Sequence, residues 1–508
     1  MRNASSTHRR LKSGLRVGGK TAPMGLITRT VVWWGSSSFA EEREKISGMF
    51  ETRFQVRVLS CLLLALSACG GDSSPATPTT PTSSTPTTPT ASERPNIIVA
   101  IGDDIGLDAS ICHNVSVDRG RAPRLASLCA SGVVFDNVWA APLCSPTRAS
   151  MLTGRHGFRT TVGTVNRPLP LTERGLPKAL LEGNPAYATA AIGKWHLANA
   201  SNGGNNHPSL FGFPYYSGSL GGQVENYLDW THVTNGVAAK DTNYVTTVQA
   251  SEARDWIATQ TKPWMLWLAF NAGHTPYHIP PAGLTTYTGL TLPIPPRPVN
   301  HYHAAMEAMD NEFGRLLDSL SPAARAKTWI IYLIGDNGTP SDVAQVPVTA
   351  GHAKGSLYQG GIAVPMMISG PGVVSPGRRV GALVHTVDIF TTVLELAQVE
   401  MAKALPAGGN TVDSVSLVPY LKNPAQAPLR PWVMTEVFGD DTANAKQGKA
   451  IRDTEFKLIR FDDSTTELYD LRIDPWENTN LMAGSLSSEA RTHLTSLTAA
   501  LDTLLASR

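Results

Sequence analysis

The chain of 508 residues is long enough for one large domain and a smaller one, and its 42% hydrophobic content is typical of a globular protein. Its formal net charge of +2 arises at the amino-terminal end: residues 1–69 carry 11 basic and 4 acidic residues, whereas the remainder carries 32 and 37. The larger part of the chain is therefore slightly acidic, and its charge gives no indication of nucleic-acid binding.

The amino-terminal region shows the pattern of an export signal rather than of a folded domain. Residues 1–48 have no apolar period, and we interpret them as a non-native or mis-annotated extension. From Met49 onward, two arginines precede an apolar stretch at 58–66 that is too short to span a bilayer, and a small-residue site comes next and ends at Cys69. Residues 49–69 therefore resemble a lipoprotein-type signal peptide whose lipobox ends at Cys69; an ordinary signal peptide is the alternative.

Residues 70–93 consist almost entirely of Ser, Thr, Pro, Gly and Ala, a composition that favours an unstructured linker. A linker placed directly after a lipidated cysteine would hold a folded domain clear of a membrane. We therefore expect an exported protein of the bacterial cell envelope, lipid-anchored in the periplasm or at the outer membrane.

The folded part is predicted to begin near residue 94 with an α/β domain. Short apolar runs predict buried strands at 96–101, 188–192, 264–270, 328–334 and 365–368, and helical spacing predicts helices at 301–320 and 387–397. Alternation of strands and helices predicts a large, mostly parallel mixed sheet sandwiched by helices.

The pattern changes after about residue 428. Shorter alternating runs at 432–437, 449–461 and 466–471 precede an amphipathic helix at 488–505. We therefore predict a catalytic domain at 94–428 and a carboxy-terminal subdomain at 429–508, built from a small antiparallel sheet and one helix.

Polar side chains come directly after four of the predicted strands. The carboxyl ends of parallel strands share one edge of a sheet, so these side chains are expected to converge there. They are Asp103, Asp104, Lys194, His196, His274, Asp336 and Asn337. Turn formation or helix capping is the alternative for each aspartate taken singly.

The aspartates and Asn337 offer only oxygen atoms as ligands. Oxygen ligands suit a hard cation such as Ca²⁺ or Mg²⁺ better than zinc. We therefore predict one divalent cation at this edge of the sheet.

The segment 142–155, with the sequence PLCSPTRASMLTGR, contains a cysteine at a predicted helix start. Cys144 stands two residues before Pro146, which suits the first turn of a helix, so its side chain should face the unpaired N–H groups of that turn. Arg148, one turn further on, adds a fixed positive charge. Such a position favours anions.

Residues 144–148 fit the C-x-P-x-R pattern of the type I, formylglycine-dependent sulfatases, and the sequence LTGR at 152–155 matches the next residues of that family's motif. Further stretches at 96–106, 193–197, 354–361 and 467–481 resemble sulfatase blocks in the family's order. The resemblance covers roughly residues 94–482 and implies an arylsulfatase-like enzyme with the fold of the alkaline phosphatase superfamily.

The resemblance also implies a nucleophile and a metal site. A formylglycine-generating enzyme would oxidise Cys144 to Cα-formylglycine, whose hydrated aldehyde would attack the sulfur of a sulfate ester while it is bound to the cation. The metal ligands would be Asp103, Asp104, Asp336, Asn337 and the modified Cys144.

The same resemblance implies roles for the basic side chains. Arg148 would steady the diol, and Lys194 and Lys354 would bind sulfate. His274 with Lys354 would assist the leaving oxygen, and His196 would take the proton of the second hydroxyl.

Some positions depart from the family pattern or stay open. Gln359 and Ala363 replace a usual Glu and a frequent Arg. Ser217 and Ser219 are both candidates for a sulfate-binding serine. Four histidines have no match and are expected at the surface or the pocket rim: His278, His301, His303 and His352.

The cysteines left over from these assignments are Cys112 and Cys129, which would form either a disulfide or two buried thiols. Two other functions compete with sulfate-ester hydrolysis: a phosphonate monoester or phosphodiester hydrolase of the same superfamily, and a non-catalytic lipoprotein that binds sulfated glycans. The organic part of the substrate has no sequence signal.

Overall fold

The computed structural model describes residues 94–440 and 446–507. Within these residues the strands are β1 Asn96–Ile101, β2 Val133–Trp139, β3 Ala188–Gly193, β4 Tyr215–Gly218, β5 Trp230–Thr234, β6 Val237–Asp241, β7 Trp264–Ala269, β8 Thr328–Leu333, β9 Met366–Ser369, β10 Arg378–His385, β11 Val433–Val437, β12 Gly448–Arg452, β13 Phe456–Phe461 and β14 Thr466–Asp470.

The α-helices of the same part of the chain are mostly short. They are α1 Pro123–Ser131, α2 Cys144–Thr153, α3 Gly157–Thr160, α4 Leu176–Gly183, α5 His207–Phe211, α6 Val245–Ala258, α7 Val299–Asp318, α8 Pro322–Ala326, α9 Gln359–Ile362, α10 Ile389–Leu396, α11 Met401–Ala404, α12 Val418–Lys422 and α13 Ser488–Ala506. None of the helices within the described ranges is both long and apolar enough to cross a membrane.

The large sheet has ten strands in the order β10-β2-β9-β8-β1-β7-β3-β4-β5-β6. Its central strands β8, β1, β7, β3 and β4 run parallel, whereas β9 is antiparallel to both of its neighbours and β5 and β6 form an antiparallel edge. Every residue of β1, β7 and β8 is buried, which is why these strands read as continuous apolar runs in the sequence.

Helices cover both faces of this sheet, because each face presents a separate apolar surface. Alternate residues of β1 point to opposite faces: Ile97 and Val99 pack in the cluster that includes α2, α4 and α10, and Ile98 and Ala100 pack in the cluster that includes α1, α6 and α7. The layers therefore confirm the predicted α/β sandwich.

The carboxy-terminal strands form a separate antiparallel sheet in the order β11-β12-β13-β14, and α13 packs on it through Leu497 and Leu501. Its other side shares an apolar cluster with the end of β2 and with Leu143, just before α2. The small sheet thus supports the segment that leads into α2.

Each of the predicted strands is present, and no predicted end differs from the structure by more than one residue. The predicted run 449–461 is two strands, β12 and β13, and the predicted helix 387–397 begins as a 3₁₀ turn at Thr386–Asp388 before α10. Cys112 and Cys129 form a disulfide with their Cα atoms 6.3 Å apart. The expectations for residues 1–93, including the signal peptide and the lipid anchor, lie outside the described residues.

Candidate active site

Four neighbouring parallel strands end at the same level of the large sheet. In the register, Ile101 of β1 pairs with Leu333 of β8 and with Ala269 of β7, which in turn pairs with Gly193 of β3. The residues after these strand ends therefore meet at one edge. The structure brings all the candidate residues of the four strand ends together there, and α2 and the loop at Lys354 complete the group.

Asp103 and Asp336 form the inner side of the site, where both are fully buried. Lys194 Nζ donates to Asp103 Oδ2 at 2.5 Å, and Arg148 Nε donates to Asp336 Oδ2 at 2.8 Å. Burial raises the pKa of Asp103 to about 7 against the opposing effect of Lys194, and the neighbouring carboxylates Asp336 and Asp104 add to the rise. The crowding of negative charge makes this a place where a cation would be strongly stabilised.

Asp104 is held in a left-handed backbone conformation, with φ of 61°. Its Oδ2 accepts a hydrogen bond from Lys354 Nζ at 2.6 Å, and its Oδ1 accepts one from Asn337 Nδ2 at 2.8 Å. Burial acts to raise the pKa of Asp104, but the positive charge of Lys354, with smaller effects of His274 and Lys194, holds it well below its usual range. Asp104 is therefore an ionised ligand candidate.

Cys144 is the first residue of α2 and is buried. Its Sγ lies 3.5 Å from Lys194 Nζ and 3.8 Å from Asp104 Oδ1, so the residue faces the carboxylates as predicted. Burial raises the pKa of the thiol far above its usual value, and Lys194 and Lys354 offset this only in part. An unmodified Cys144 would therefore remain a protonated thiol, which is a poor nucleophile.

The helix start that carries Cys144 is fixed by local hydrogen bonds. Thr147 Oγ1 accepts from the backbone N–H of Ala141 at 3.0 Å, and Ser145 Oγ donates to the carbonyl of His196 at 2.8 Å. Arg148, one turn into the helix, also donates through Nη1 to the carbonyl of Lys194 at 2.8 Å. Helix α2 is thus tied to the end of β3.

The arrangement fits a divalent cation. Ligand atoms of Asp103, Asp104, Asp336 and Cys144 all lie within 4.8 Å of one another. Asp103 Oδ1 and Asn337 Oδ1 are buried oxygens without a hydrogen-bond partner among the described residues. Buried oxygens without donors are uncommon in folded proteins, and a hard cation would satisfy both.

The two predicted histidines lie near the cluster. His274 Nε2 is 3.7 Å from Asp104 Oδ2, and its Nδ1 contacts the carbonyl of Thr275 at 2.9 Å. Burial lowers the pKa of His274 to about 4 despite the carboxylate of Asp104. Burial also lowers the pKa of His196 well below its usual value, and the nearby positive charges add to the effect. Both rings are therefore neutral near pH 7.

The structure separates the two candidate serines. Ser217 Oγ lies 2.8 Å from His232 Nε2, away from the cluster, whereas Ser219 Oγ donates to Asn271 Oδ1 at 3.0 Å, next to the strand end that carries His274. Alternation along a strand would place residues 217 and 219 on the same face, but β4 ends at Gly218. The sequence therefore could not distinguish the two serines.

Gln359 and Ala363, which depart from the family pattern, both contact Trp139. Gln359 Oε1 accepts a hydrogen bond from Trp139 Nε1 at 2.8 Å, and the Gln359 backbone N–H donates to Glu477 Oε2. Ala363 is buried and forms an isolated bridge with Trp139. These contacts support the segment 354–361 from the side of β2 and the small sheet.

Two of the four unmatched histidines are more buried than expected. His301 and His303 are buried within α7, so the expectation that they lie at the surface or rim is wrong for them. His278 and His352 are partly buried: the ring of His278 stacks on Tyr227, and the ring of His352 stacks on Tyr358.

Several contacts of the site had no sequence signal. Tyr302 Oη donates to the carbonyl of Asp104 at 2.9 Å, and Tyr227 Oη donates to the carbonyl of His274 at 2.9 Å. Asn166 Oδ1 lies 3.4 Å from His196 Nε2. The two residues of each contact are at least 30 residues apart in the chain, and motif spacing carries no information at such separations.

The family model described as Sulfatase matches residues 95–399, which is more than half of the chain. The chain belongs to the sulfatase family. A second model, described as N-sulphoglucosamine sulphohydrolase, C-terminal, matches residues 352–503 of this sulfatase. The second match includes the small sheet and most of α13.

Curated relatives agree with this assignment. The chain is 28% identical to human N-acetylgalactosamine-6-sulfatase over 372 residues, which cover 65% of this sulfatase and 66% of the relative. It is also 28% identical to the uncharacterized sulfatase YdeN of Escherichia coli K12, over 66% of this chain and 67% of that protein. The chain therefore spans about two thirds of the length of the curated relatives that it matches.

Solved structures share the fold. A crystal structure of Ps i-CgsB in complex with k-i-k-neocarrahexaose aligns with a TM-score of 0.66 and 23% identity, over 81% of this chain and 93% of that one. The structure of BT4656 in complex with its substrate, D-glucosamine-2-N,6-O-disulfate, aligns with a TM-score of 0.65 and 22% identity, over 81% and 97% of the two chains. At this identity the likeness shows the fold alone.

Proposed function

We propose that this chain hydrolyses sulfate esters to an alcohol or phenol and sulfate, through a formylglycine made from Cys144. The observation that carries the proposal is the position of Cys144, a buried thiol at a helix start that lies 3.5 Å from Lys194 Nζ and faces three carboxylates. A thiol with a strongly raised pKa is poorly suited to direct attack, whereas a hydrated aldehyde at the same place offers two hydroxyl groups.

The cation in this proposal is Ca²⁺ or Mg²⁺, held by Asp103, Asp104, Asp336, Asn337 and the modified Cys144. When bound, it would lower the pKa of a hydroxyl group attached to it and so favour attack on sulfur. Two buried oxygens, Asp103 Oδ1 and Asn337 Oδ1, have no hydrogen-bond donor in the described part of the chain, and this supports the ligand set.

The surrounding positive charges suit an anionic substrate. Lys194 and Lys354 would bind the sulfate group through their ammonium groups. Arg148, fixed on Asp336 by a hydrogen bond of 2.8 Å, would hold the diol.

The two neutral histidines suit proton transfer in two different steps of the reaction. His274, near Lys354 and Asp104, would assist the oxygen that leaves with the alcohol. His196 would accept the proton of the second diol hydroxyl as the carbonyl re-forms, the carbon–oxygen bond breaks and sulfate leaves with the electron pair.

The substrates in this proposal are sulfated carbohydrates. The supporting observations are the names of the relatives, which include an N-acetylgalactosamine-6-sulfatase, and the fold shared with a protein solved with a sulfated glucosamine. The 28% identity to the N-acetylgalactosamine-6-sulfatase supports a substrate class and not a particular sugar.

The test is sulfate release by purified protein co-expressed with a formylglycine-generating enzyme. The substrate panel contains sulfated amino sugars, sulfated galactosides and 4-nitrophenyl sulfate, with the 4-nitrophenyl phosphodiester and phosphonate monoester as matched controls. Release of sulfate from at least one sulfated sugar supports the proposal. Preference for the phosphorus esters would instead indicate a phosphonate or phosphodiester hydrolase, and binding of sulfated glycans without turnover would indicate a non-catalytic protein.

Export and anchoring belong to the same proposal. The pattern at 49–69 supports a lipid anchor at Cys69 and a place in the bacterial cell envelope, in the periplasm or at the outer membrane. A gene that starts at Met49 should then yield the same envelope-anchored protein as the full frame, and Cys69→Ala should release the protein or block its processing. Unchanged retention and processing of the Cys69→Ala protein in membrane fractions would contradict the anchor.

A further inference from the structure

His196 is held in the site by its backbone. Its φ of 60° is left-handed, and its carbonyl accepts a hydrogen bond from Ser145 at the start of α2. The ring is buried near the positive charges of Lys194 and Arg148. The backbone therefore presents the ring to the site, but it does not decide which ring nitrogen carries the proton.

Asn166 lies close enough to the His196 ring to influence which ring nitrogen carries the proton. It lies in the loop between α3 and α4, and its Oδ1 is 3.4 Å from His196 Nε2. An amide oxygen only accepts hydrogen bonds, so this contact favours the tautomer with the proton on Nε2. The other nitrogen, Nδ1, is buried and has no hydrogen-bond partner among the described residues, so its lone pair is left for the reaction.

Gly222 leaves room for the Nε2 edge of the His196 ring. A Cβ atom at residue 222 would lie 2.4 Å from both Cε1 and Nε2 of His196, so any side chain there would displace the ring. The φ angle of Gly222 lies outside the left-handed region, so an alanine would be opposed by lack of space rather than by backbone strain. Asn166 contacts the Nε2 side of the ring from one loop, and Gly222 leaves room for that side from another.

We propose that Asn166 is a positioning residue that favours the Nε2–H tautomer of His196, with Nδ1 free to accept the proton of the diol, and that Gly222 is a second positioning residue because it leaves the space that the ring occupies. This inference rests on the proposed function, because it concerns the step in which the sulfated form of residue 144 loses sulfate. In that step the hydroxyl proton moves to Nδ1, the carbonyl re-forms and the carbon–oxygen bond to sulfate breaks. Asn166 and Gly222 would leave the earlier attack on sulfur largely unaffected.

The variants are chosen around the backbone of Asn166, whose φ is 59°. Asn166→Gly removes the acceptor and tolerates the left-handed conformation, whereas Asn166→Asp keeps both an acceptor oxygen and a residue suited to that conformation. Asn235→Gly is the matched control, since Asn235 also has a left-handed backbone, with φ of 48°, and accepts from the Tyr216 N–H on another part of the sheet. Gly222→Ala provides an independent displacement of the ring.

Two measurements test the proposal. In unmodified protein labelled with ¹⁵N-histidine, the His196 signals, assigned by their loss in His196→Gln, should show an N–H at Nε2 in wild type and a changed tautomer population in Asn166→Gly. In modified enzyme on the best substrate of the panel, kcat should fall about 10- to 100-fold in Asn166→Gly and in Gly222→Ala, as for outer-shell partners of catalytic groups. A rapid first release of desulfated product should remain, and protein about 80 Da heavier than the hydrated aldehyde should accumulate as the sulfated form.

Asn166→Asp should restore kcat to within about threefold of wild type, and Asn235→Gly should match wild type in both measurements. An unchanged tautomer with unchanged kcat in Asn166→Gly, or equal loss of the first release and of turnover, would overturn the inference. Wild-type enzyme that releases no sulfate from any substrate would instead overturn the proposed function, and the nitrogen signals of His196 would still decide the tautomer.

Discussion

In the proposed mechanism, the side chain of residue 144 decides whether the protein turns over once or many times. A serine offers a single hydroxyl, so a serine that attacked sulfur could not expel the sulfate by re-forming a carbonyl. The site around it would stay intact, because the neighbours Lys194, Asp104 and Asp336 are held by contacts of their own.

Cys144→Ala is therefore expected to be inactive, and Cys144→Ser, expressed where serine is not converted to the aldehyde, is expected to release at most one product per protein. The measurement is product release against enzyme concentration, together with intact mass. Folding of both variants is checked by comparison of their thermal unfolding with that of wild type. Sustained turnover by Cys144→Ser would contradict the two-hydroxyl mechanism.

At the scale of single residues, the sequence predicted which side chains meet at the sheet edge better than it predicted the contacts that support them. Asp103, Lys194 and Asp336 could be predicted because each lies just beyond an apolar strand, and parallel strand ends share an edge. Asn166 could not be predicted, because this loop residue lies 30 positions before His196 in the chain, and motif spacing carries no information on contacts at that separation.

The sequence also left open whether Cys112 pairs with Cys129, because this too depends on a distance in the folded chain. A disulfide requires a short Cα separation, which is 6.3 Å here and which the sequence does not contain. The two cysteines meet because α1 carries Cys129 back toward the loop that holds Cys112.

At the scale of elements, the buried ion pair of Lys457 and Glu477 joins the small sheet to the segment 354–361. Lys457 on β13 and Glu477 are both fully buried and in contact, and Lys457 Nζ also donates to the carbonyl of Leu357 at 2.7 Å. Burial lowers the pKa of Lys457 to about 8, against the opposing effect of Glu477. Glu477 also accepts a hydrogen bond from the backbone N–H of Gln359, which lies two residues after Leu357 in the same segment.

Loss of one partner of this pair should be costly. Glu477→Gln leaves a buried ammonium group without a counter-charge, and we expect it to lower the free energy of unfolding by roughly 3–5 kcal/mol. The double variant Lys457→Met with Glu477→Gln removes the charge from both partners and should recover most of that loss. Urea unfolding followed by tryptophan fluorescence measures both. If Glu477→Gln alone had the same free energy of unfolding as the double variant, the ion pair would not be what holds these elements together.

The elements themselves were predictable where burial is complete. Strands β1, β7 and β8 are apolar along their whole length because helices cover both of their faces. Strand β2 was missed because Asp136 and Asn137 interrupt its apolar run, and β6 was missed because most of its residues are exposed at the sheet edge. In the sequence, a strand interrupted by polar residues and an exposed edge strand both look like a loop.

At the scale of the whole molecule, the carboxylate and amide side chains of the site should make activity and stability depend on a bound cation. Three aspartates and Asn337 offer only oxygens, and the site carries buried oxygens that a cation would satisfy. We expect dialysis against a chelator to abolish sulfate release and to lower the unfolding temperature. Ca²⁺ or Mg²⁺ should restore both, since a ligand that binds only the folded state stabilises it.

Zinc should restore little activity in the same assay, because the ligand set offers oxygen atoms alone once Cys144 is modified. Asp104→Asn is the matched variant, as it keeps the size of the side chain while removing one charge, and it should need more Ca²⁺ for the same recovery. Full activity in chelator after exhaustive dialysis would contradict the cation requirement.

The central claim is that active enzyme carries formylglycine at position 144, and peptide mass spectrometry tests it most directly. The peptide that contains residue 144, taken from active enzyme, should be about 18 Da lighter than the thiol form, the difference between CH₂SH and CHO. Sulfate release should rise in proportion to the converted fraction across preparations made with different amounts of the formylglycine-generating enzyme. Full activity in a preparation whose residue 144 is entirely an unmodified thiol would contradict the account.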